Sequence, residues 1–354
     1  MGYSFLLHSN DFTERGDSVT LLSLGSAITR RFGSSIVIAF PQESPRISEE
    51  RVKEALDRGF EVFRYRNKRD LDEFAVRRAI SHSYVFSGGS RASLPYYDPS
   101  NTESFRIGNS KHITHVVFRV FDPHGDAYTF VSDWLYLWSK KRRRWSNNWT
   151  RRNQAISDPL ILSFPHFVET WPKSSKNISF RKEHGISESS TVIGRIGGFN
   201  EFSDPAAQRG LIKILDGDVS AVALLVNTKR FTHHPRAIFL PALNRADVKR
   251  FYDACDVLLN GRRMGESFGY SIVEPLSLGK PVIAPHWIRN PLMDRHHLQV
   301  LSGLGLVYFS SSHLRRIFER LQKDRMPVEK LKALSIPFSE QVAMDNLDRI
   351  LSNI

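Results

Sequence analysis

Two carboxylates, Glu266 and Glu274, stand eight residues apart in Gly265-Glu-Ser-Phe-Gly-Tyr-Ser-Ile-Val-Glu274-Pro-Leu-Ser-Leu-Gly279-Lys280-Pro-Val-Ile-Ala284. Asp256-Val-Leu-Leu259 upstream is a short apolar run of strand type. Gly265 and Gly269 then break the chain before the helical pattern Ile272, Val273, Leu276 and Leu278, and Gly279 ends that helix ahead of a strand at Pro281-Val-Ile-Ala284. In such a unit the helix N-terminus offers unpaired N–H groups and a partial positive charge, so a diphosphate can sit beside Phe268 to Tyr270. Glycine there lets the backbone approach a ligand closely. The combination reads as a site for an anionic, hydroxyl-rich ligand. Eight residues of helix span roughly 12 Å, whereas a paired-carboxylate glycosidase holds its acids about 5 to 9 Å apart. Glu266 and Glu274 are therefore expected to touch different parts of one long ligand. The plainer alternative makes Glu266 a first-turn acid that complements the helix dipole and Glu274 a solvated helix residue.

This stretch resembles the retaining glycosyltransferases of family four, GT-B enzymes that carry an E-x7-E motif. The resemblance implies that Glu266 lies near a donor sugar, that Glu274 binds the nucleotide ribose, and that main-chain amides of Phe268, Gly269 and Tyr270 contact sugar and diphosphate. Thr191-Val-Ile-Gly-Arg195-Ile-Gly-Gly198-Phe is similar to the segment that opens the C-terminal domain of these enzymes. It makes Arg195 the counterpart of an arginine on the donor diphosphate and puts Gly198 in the donor-binding turn. A guanidinium suits that task because its fork of donors matches phosphate oxygens and it stays charged. Where many relatives carry a lysine, this chain has Asn200 followed by Glu201. Candidates for the second phosphate cation are Arg209, Lys213, Lys229 and Arg262. Arg262 is preferred, because Asn260-Gly-Arg262 precedes the Glu266 loop and resembles a His-Ala-Arg segment of some relatives.

In the N-terminal half, Asn10-Asp-Phe-Thr-Glu-Arg15-Gly16-Asp17-Ser-Val-Thr resembles the first loop and helix of a subgroup of the family, which places Gly16 on the donor. His115-Val-Val-Phe118, the segment from His124-Gly125-Asp126 to Trp134, and Phe164-Pro-His166-Phe-Val look like the same subgroup. The family sets a histidine at the end of an N-terminal strand against the donor sugar. His115 is the first choice and His124 the second, and a half-buried core histidine is the alternative reading. A lysine of the subgroup near Ser87-Gly88-Gly89 has no counterpart in this chain.

The elements that must position these residues follow from length and patterning. A chain of 354 residues suits two domains of about 150 to 180 residues. Strand-like runs at Ser35–Ala39, Thr114–Phe118, Val192, Val222–Val226, Ala237–Leu240, Val257–Leu259, Val282–Ala284 and Leu306–Phe309 alternate with helical patterns, which argues for parallel α/β sheets. The expected fold class is α/β, which the resemblance makes of GT-B type, two Rossmann-like domains facing across a cleft. Residues 1–170 form the N-terminal, acceptor-side domain and 171–338 the C-terminal, nucleotide-sugar-binding domain, with a polar connector near Thr170-Trp171-Pro172. The resemblance implies that residues 339–354 form a helix crossing back to the first domain, as the last helix of GT-B enzymes often does. Residues 86–112, rich in Ser, Gly, Pro and Asn, read as a flexible loop.

The single cysteine, Cys255, excludes internal disulfides and fits a reducing compartment, where a buried inert thiol is expected. No apolar run approaches the ~18 residues of a membrane span, and the N-terminus lacks the basic start of a signal peptide, so a cytoplasmic protein is expected. The net charge of +13 implies an anionic partner. The densest basic block, Lys140-Lys-Arg-Arg-Arg144-Trp145 with Trp149, Arg151 and Arg152, reads as an acidic-membrane contact over 140–152 or as a solvated helix end. No zinc spacing or RNP-like signature supports nucleic acid as a partner. The resemblance thus implies a retaining glycosyltransferase that moves a sugar from a nucleoside-diphosphate sugar to a glycan or other hydroxyl acceptor. The nucleotide sugar is a co-substrate, and neither cofactor nor metal is expected. Rival readings are a sugar-nucleotide epimerase or phosphorylase on the same fold, and a non-catalytic binder of acidic lipid or nucleic acid.

Overall fold

The computed structural model describes residues 2–13, 16–146, 159–169, 171, 179–286 and 294–354. The chain divides into two compact units, Met1–Phe167 together with Glu340–Ile354, and Val168–Ser339.

The first unit holds strands β1 (Ser4–His8), β2 (Ser35–Pro41), β3 (Glu61–Tyr65), β4 (His82–Ser87), β5 (Lys111–Val116), β6 (Ala127–Phe130) and β7 (Leu160–Ser163). They form one parallel sheet in the order β3-β2-β1-β4-β5-β6-β7. Helices α1 (Gly16–Phe32), α2 (Glu49–Asp57), α3 (Lys68–Arg77) and α4 (Asp133–Ser146) make the connections. A parallel sheet covered by helices is buried on both faces, and β4 is accordingly buried along its whole length.

The second unit repeats the plan with β8 (Thr191–Arg195), β9 (Ala221–Val226), β10 (Ala237–Leu240), β11 (Val257–Leu259), β12 (Gly265–Glu266), β13 (Val282–Pro285), β14 (Asp294–Arg295) and β15 (Val307–Tyr308). Its parallel sheet runs β10-β9-β8-β11-β13-β15, and β12 pairs separately with β14, Glu266 opposite Arg295. The helices are α5 (Phe180–Glu183), α6 (Pro205–Gly217), α7 (Arg245–Ala254), α8 (Tyr270–Ser277), α9 (His296–Leu301), α10 (Ser311–Lys323) and α11 (Val328–Ala333). The last helix, α12 (Glu340–Leu351), belongs to the first unit. There Arg30 of α1 grips Glu340 through two hydrogen bonds of 3.0 and 2.7 Å, while Leu347 and Ile350 are buried.

In both sheets the chain winds outward from one strand and then returns to that strand's other side. β1 and β4 in the first unit, and β8 and β11 in the second, therefore flank the switch points beyond whose carboxyl ends open α/β sheets bind ligands.

The segment 86–112 differs from the flexible loop expected of its composition. Phe86 and Ser87 complete β4, and Leu94, Tyr96, Phe105 and Ile107 are buried against a core that includes Leu71 and Phe74. Arg91 is bound to Asp122 at 2.9 Å, and the Gly108 N–H donates to Asp72 at 2.8 Å. Four apolar side chains spaced through a polar stretch are enough to dock it. The expected connector falls largely on 170 and 172–178, which lie outside the described residues, as does 147–158 with Trp149, Arg151 and Arg152.

Candidate active site

The loops leaving β8 and β11 meet at the switch point of the second unit. Asp204 caps α6 by accepting from Ala206 N, and the N–H groups of Ser203 and Asp204 both donate to Gly261 O. Gly261 has to be glycine: a Cβ there would lie 2.4 Å from the Phe202 ring. These bonds bring the 195–201 turn alongside 260–266.

Glu266 lies at the centre of that junction and is buried. Asn260 Nδ2 donates to its Oε1 at 2.8 Å, and Arg262 Nη1 donates to its Oε2 at 2.9 Å. Asn260 also accepts from Arg262 N at 3.1 Å, so one side chain fixes both members of the ion pair. Burial pushes the Glu266 carboxyl up from its usual range, opposed by Arg262 and Asn260. Arg262 reaches Glu201 as well, at 3.4 Å. Glu201 in turn accepts from Gly198 N–H at 3.1 Å.

Arg195 ends β8 and is buried, with only 4% of its surface exposed. Its Nη1 donates to Val226 O, Asn227 O and Thr228 Oγ1, and its Nη2 donates to Gly198 O at 2.8 Å. Burial lowers it to about 10, which leaves it charged at neutral pH, and the negative charges of Glu201 and Glu266 oppose the shift. Arg195 thus ties the ends of β8 and β9 to the glycine turn and supplies positive charge from beneath. Of the other cation candidates, Arg209 and Lys213 lie on α6, and the backbone N–H of Lys229 donates to Phe199 O.

Only the last part of the Glu266–Glu274 interval is helical, because α8 begins at Tyr270 after Gly269 with φ of 86°. The span is accordingly not the eight helical residues taken for the length estimate. Phe268 is buried, stacked on His296 at 5.3 Å, and Tyr270 packs edge-on against it at 5.1 Å. Glu274 is also buried, not the solvated residue of the plainer alternative, but among different partners: Tyr252 donates to its Oε2 at 2.9 Å, and Arg245 is ion-paired with its Oε1. The Arg245 guanidinium lies over the Trp171 ring at 4.1 Å. The two carboxylates are therefore separate centres.

His115 and Gly16 lie in the first unit. His115, at 0% exposure, is held through Nδ1 by Tyr84 at 2.7 Å and Thr129 at 3.1 Å, and burial lowers it to about 3. Its ring stacks on His166 at 4.9 Å, His166 bonds Thr20, and Thr20 donates to Gly16 O at 2.7 Å. Gly16 and His115 are thus linked through Thr20 and His166. His124, the second choice, is buried elsewhere, with Nδ1 on Asp122 O. Cys255 is fully buried and burial pushes its thiol up, and a Cβ at Gly194 would collide with its Sγ.

Asn260, Glu201, Arg245, Tyr252 and Thr20 were not assigned roles at the site from sequence. Asn260 stands only six residues before Glu266, a local spacing, and a seven-residue interval puts Arg245 and Tyr252 on one face of α7 without showing what that face meets.

Two doubly wound parallel α/β units are the Rossmann-like halves of the GT-B fold. A glycosyltransferase from Rickettsia africae superposes with a TM-score of 0.70 at 11% identity, covering 99% of this chain and 98% of that one. Anabaena HepE in complex with UDP gives 0.70 at 16% identity over 100% of both chains. A proposed UDP-N-acetylglucosamine 2-epimerase from Listeria monocytogenes gives 0.59 at 10% identity, covering 99% and 96%. No protein-family model and no curated protein matches the chain. Among the described residues, no helix is long and apolar enough to cross a membrane.

Proposed function

We propose that the chain is a retaining, family-four-like glycosyltransferase that moves a hexose-type sugar from a nucleoside-diphosphate sugar to the hydroxyl of a glycan or other acceptor. The observation that carries this reading is the convergence of Arg195, Gly198, Arg262 and Glu266 beyond the carboxyl ends of β8 and β11. HepE, which shares the fold, has been seen with UDP and with UDP-glucose.

In this reading the bond from the anomeric carbon to the diphosphate oxygen breaks as the acceptor oxygen bonds to the same face of the sugar. The departing phosphate takes the acceptor's proton. Negative charge grows on the diphosphate, where Gly198 N–H, Arg262 and the amides opening α8 stabilise it, with Arg195 adding field from below. Glu266 orients the sugar. Glu274, with lone pairs beyond those used by Tyr252 and Arg245, accepts from the ribose hydroxyls. In the first unit, neutral His115 supports His166, and the pair with Gly16 is that unit's contribution to the donor. The chemistry needs no metal and no cofactor beyond the nucleotide sugar. A cytoplasmic setting, with peripheral contact to acidic membrane through 140–152, fits the net charge of +13.

The fold is also compatible with epimerase chemistry. Turnover of uridine, guanosine and adenosine diphosphate sugars, followed as nucleoside diphosphate release with and without a cell-extract acceptor, separates the two. Acceptor-dependent release supports transfer. Interconversion of the donor sugar without an acceptor requirement supports the epimerase.

A further inference from the structure

The donors assigned to the diphosphate are already engaged by an acid of the chain itself. Glu201 accepts from Gly198 N–H at 3.1 Å through Oε2 and faces Arg262 Nη2 at 3.4 Å through Oε1. Its carboxyl carbon sits where a Cβ on Gly198 would stand, 2.7 Å away, and its Oε2 lies 3.8 Å from the corresponding position on Gly197. The close approach that Gly198 grants is thus used by a carboxylate. The immediate charges include Arg195 and Arg262 against Glu201 and Glu266, with Asp294 also acting on Arg262, so the constellation carries no excess positive charge while Glu201 is in place. Glu201 itself is on the surface side of the turn, its side chain 41% exposed, and can swing away without opening a core.

We propose that Glu201 is a built-in competing anion, seated on the phosphate-binding donors of the second unit, which a nucleoside diphosphate must displace in order to bind. The inference rests on the nucleotide-sugar reading of the site. While Glu201 holds Gly198 N–H and Arg262, only the fraction of molecules with the carboxylate withdrawn is competent, and the apparent affinity falls by that fraction. Displacement removes one negative charge from beside Arg262 at the moment a polyanion arrives. A ligand that reaches both donors at once gains most from it.

The test is calorimetric binding of UDP, GDP, ADP, inorganic pyrophosphate and the parent nucleosides to wild type, Glu201→Gln and Glu201→Ala. Glutamine keeps a carbonyl for Gly198 N–H and so preserves the turn while removing the charge. The preferred nucleoside diphosphate and pyrophosphate should each bind about tenfold more tightly to Glu201→Ala, as for a site otherwise one-tenth competent, and by a smaller factor to Glu201→Gln, with no change for the nucleoside. Wild-type binding that is equal to or tighter than that of the variants overturns the proposal alone, as does an equal gain for the nucleoside, which would indicate a reshaped pocket. No binding of any diphosphate or of pyrophosphate to any of the three proteins overturns the nucleotide reading and this inference together.

Discussion

Gly269 and Glu266 compete for one volume: a Cβ on Gly269 would lie 2.9 Å from both Cβ and Cγ of Glu266, and Gly269 sits at φ of 86°. Glycine at this helix start is what allows the carboxylate to fold back under α8 towards Asn260 and Arg262. Gly269→Ala is expected to cost at least about 1–2 kcal/mol from the left-handed backbone alone. Because the methyl group pushes Glu266 off its partners, turnover should fall further than the loss of folded protein explains. Urea unfolding and steady-state turnover on the same preparation measure the two effects.

Asn260 is the anchor of the Glu266–Arg262 pair, and its bond favours the ionised carboxylate. In Asn260→Ala the Glu266 carboxyl should rise further, so the acid limb of the kcat/KM profile moves to higher pH. Misplacement of the pair should also lower neutral-pH turnover by on the order of a hundredfold. An acid limb that stays where it is in wild type would show that Glu266 does not set it.

Glu274 is buried, with Arg245 and Tyr252 on its two oxygens. Arg245→Ala leaves a buried carboxylate without its cation, at a cost of about 3 kcal/mol. Neutralising the orphan in Arg245→Ala/Glu274→Gln should recover much of that. Chemical denaturation of the four-member cycle reads the coupling, and simple additivity would mean that the pair is worth little.

Much of the fold was legible because a parallel sheet buried on both faces writes itself as apolar runs. β9, Ala221–Val226, is of this kind. β1, β3, β4, β6 and β7 were not read as strands: Glu61 and Arg64 interrupt β3, His82, Ser83 and Ser87 interrupt β4, and the other three are runs of only four or five residues. The glycines and acids of the candidate site were visible because their spacing in sequence is local. Asn260 on Glu266 is nearly so. The anchors of Glu274 were not, because Tyr252 lies 22 residues away and Arg245 lies 29. Arg195 was legible as a cation, but its engagement with three carbonyls, at the end of β9, just after it and in the glycine turn, depends on how the chain returns.

Burial holds several histidines neutral: His8 and His115 at about 3, His124 and His297 at about 4. All are lowered relative to the unfolded chain, so the stability they contribute is complete above the ordinary histidine value of about 6.5. It is lost as pH falls towards 4 and 3, since the unfolded state then binds protons that the native state does not. Each should remove about 2 kcal/mol by pH 5. The unfolding midpoint should therefore fall steeply between pH 7 and 5, and His8→Gln should flatten that slope by close to one proton. A midpoint independent of pH across this range would mean that these rings are protonated in the folded protein.

Sugar transfer is assigned to the switch-point site of the second unit. It is tested most directly by following nucleoside diphosphate release from the preferred donor sugar, with acceptor present, for wild type, Glu266→Gln and Glu274→Ala. Wild type should show acceptor-dependent release from one donor, reduced by about a hundredfold or more in Glu266→Gln, with Glu274→Ala showing a raised KM for the donor. Release that is undiminished in both variants, or absent for every donor in wild type, would contradict it.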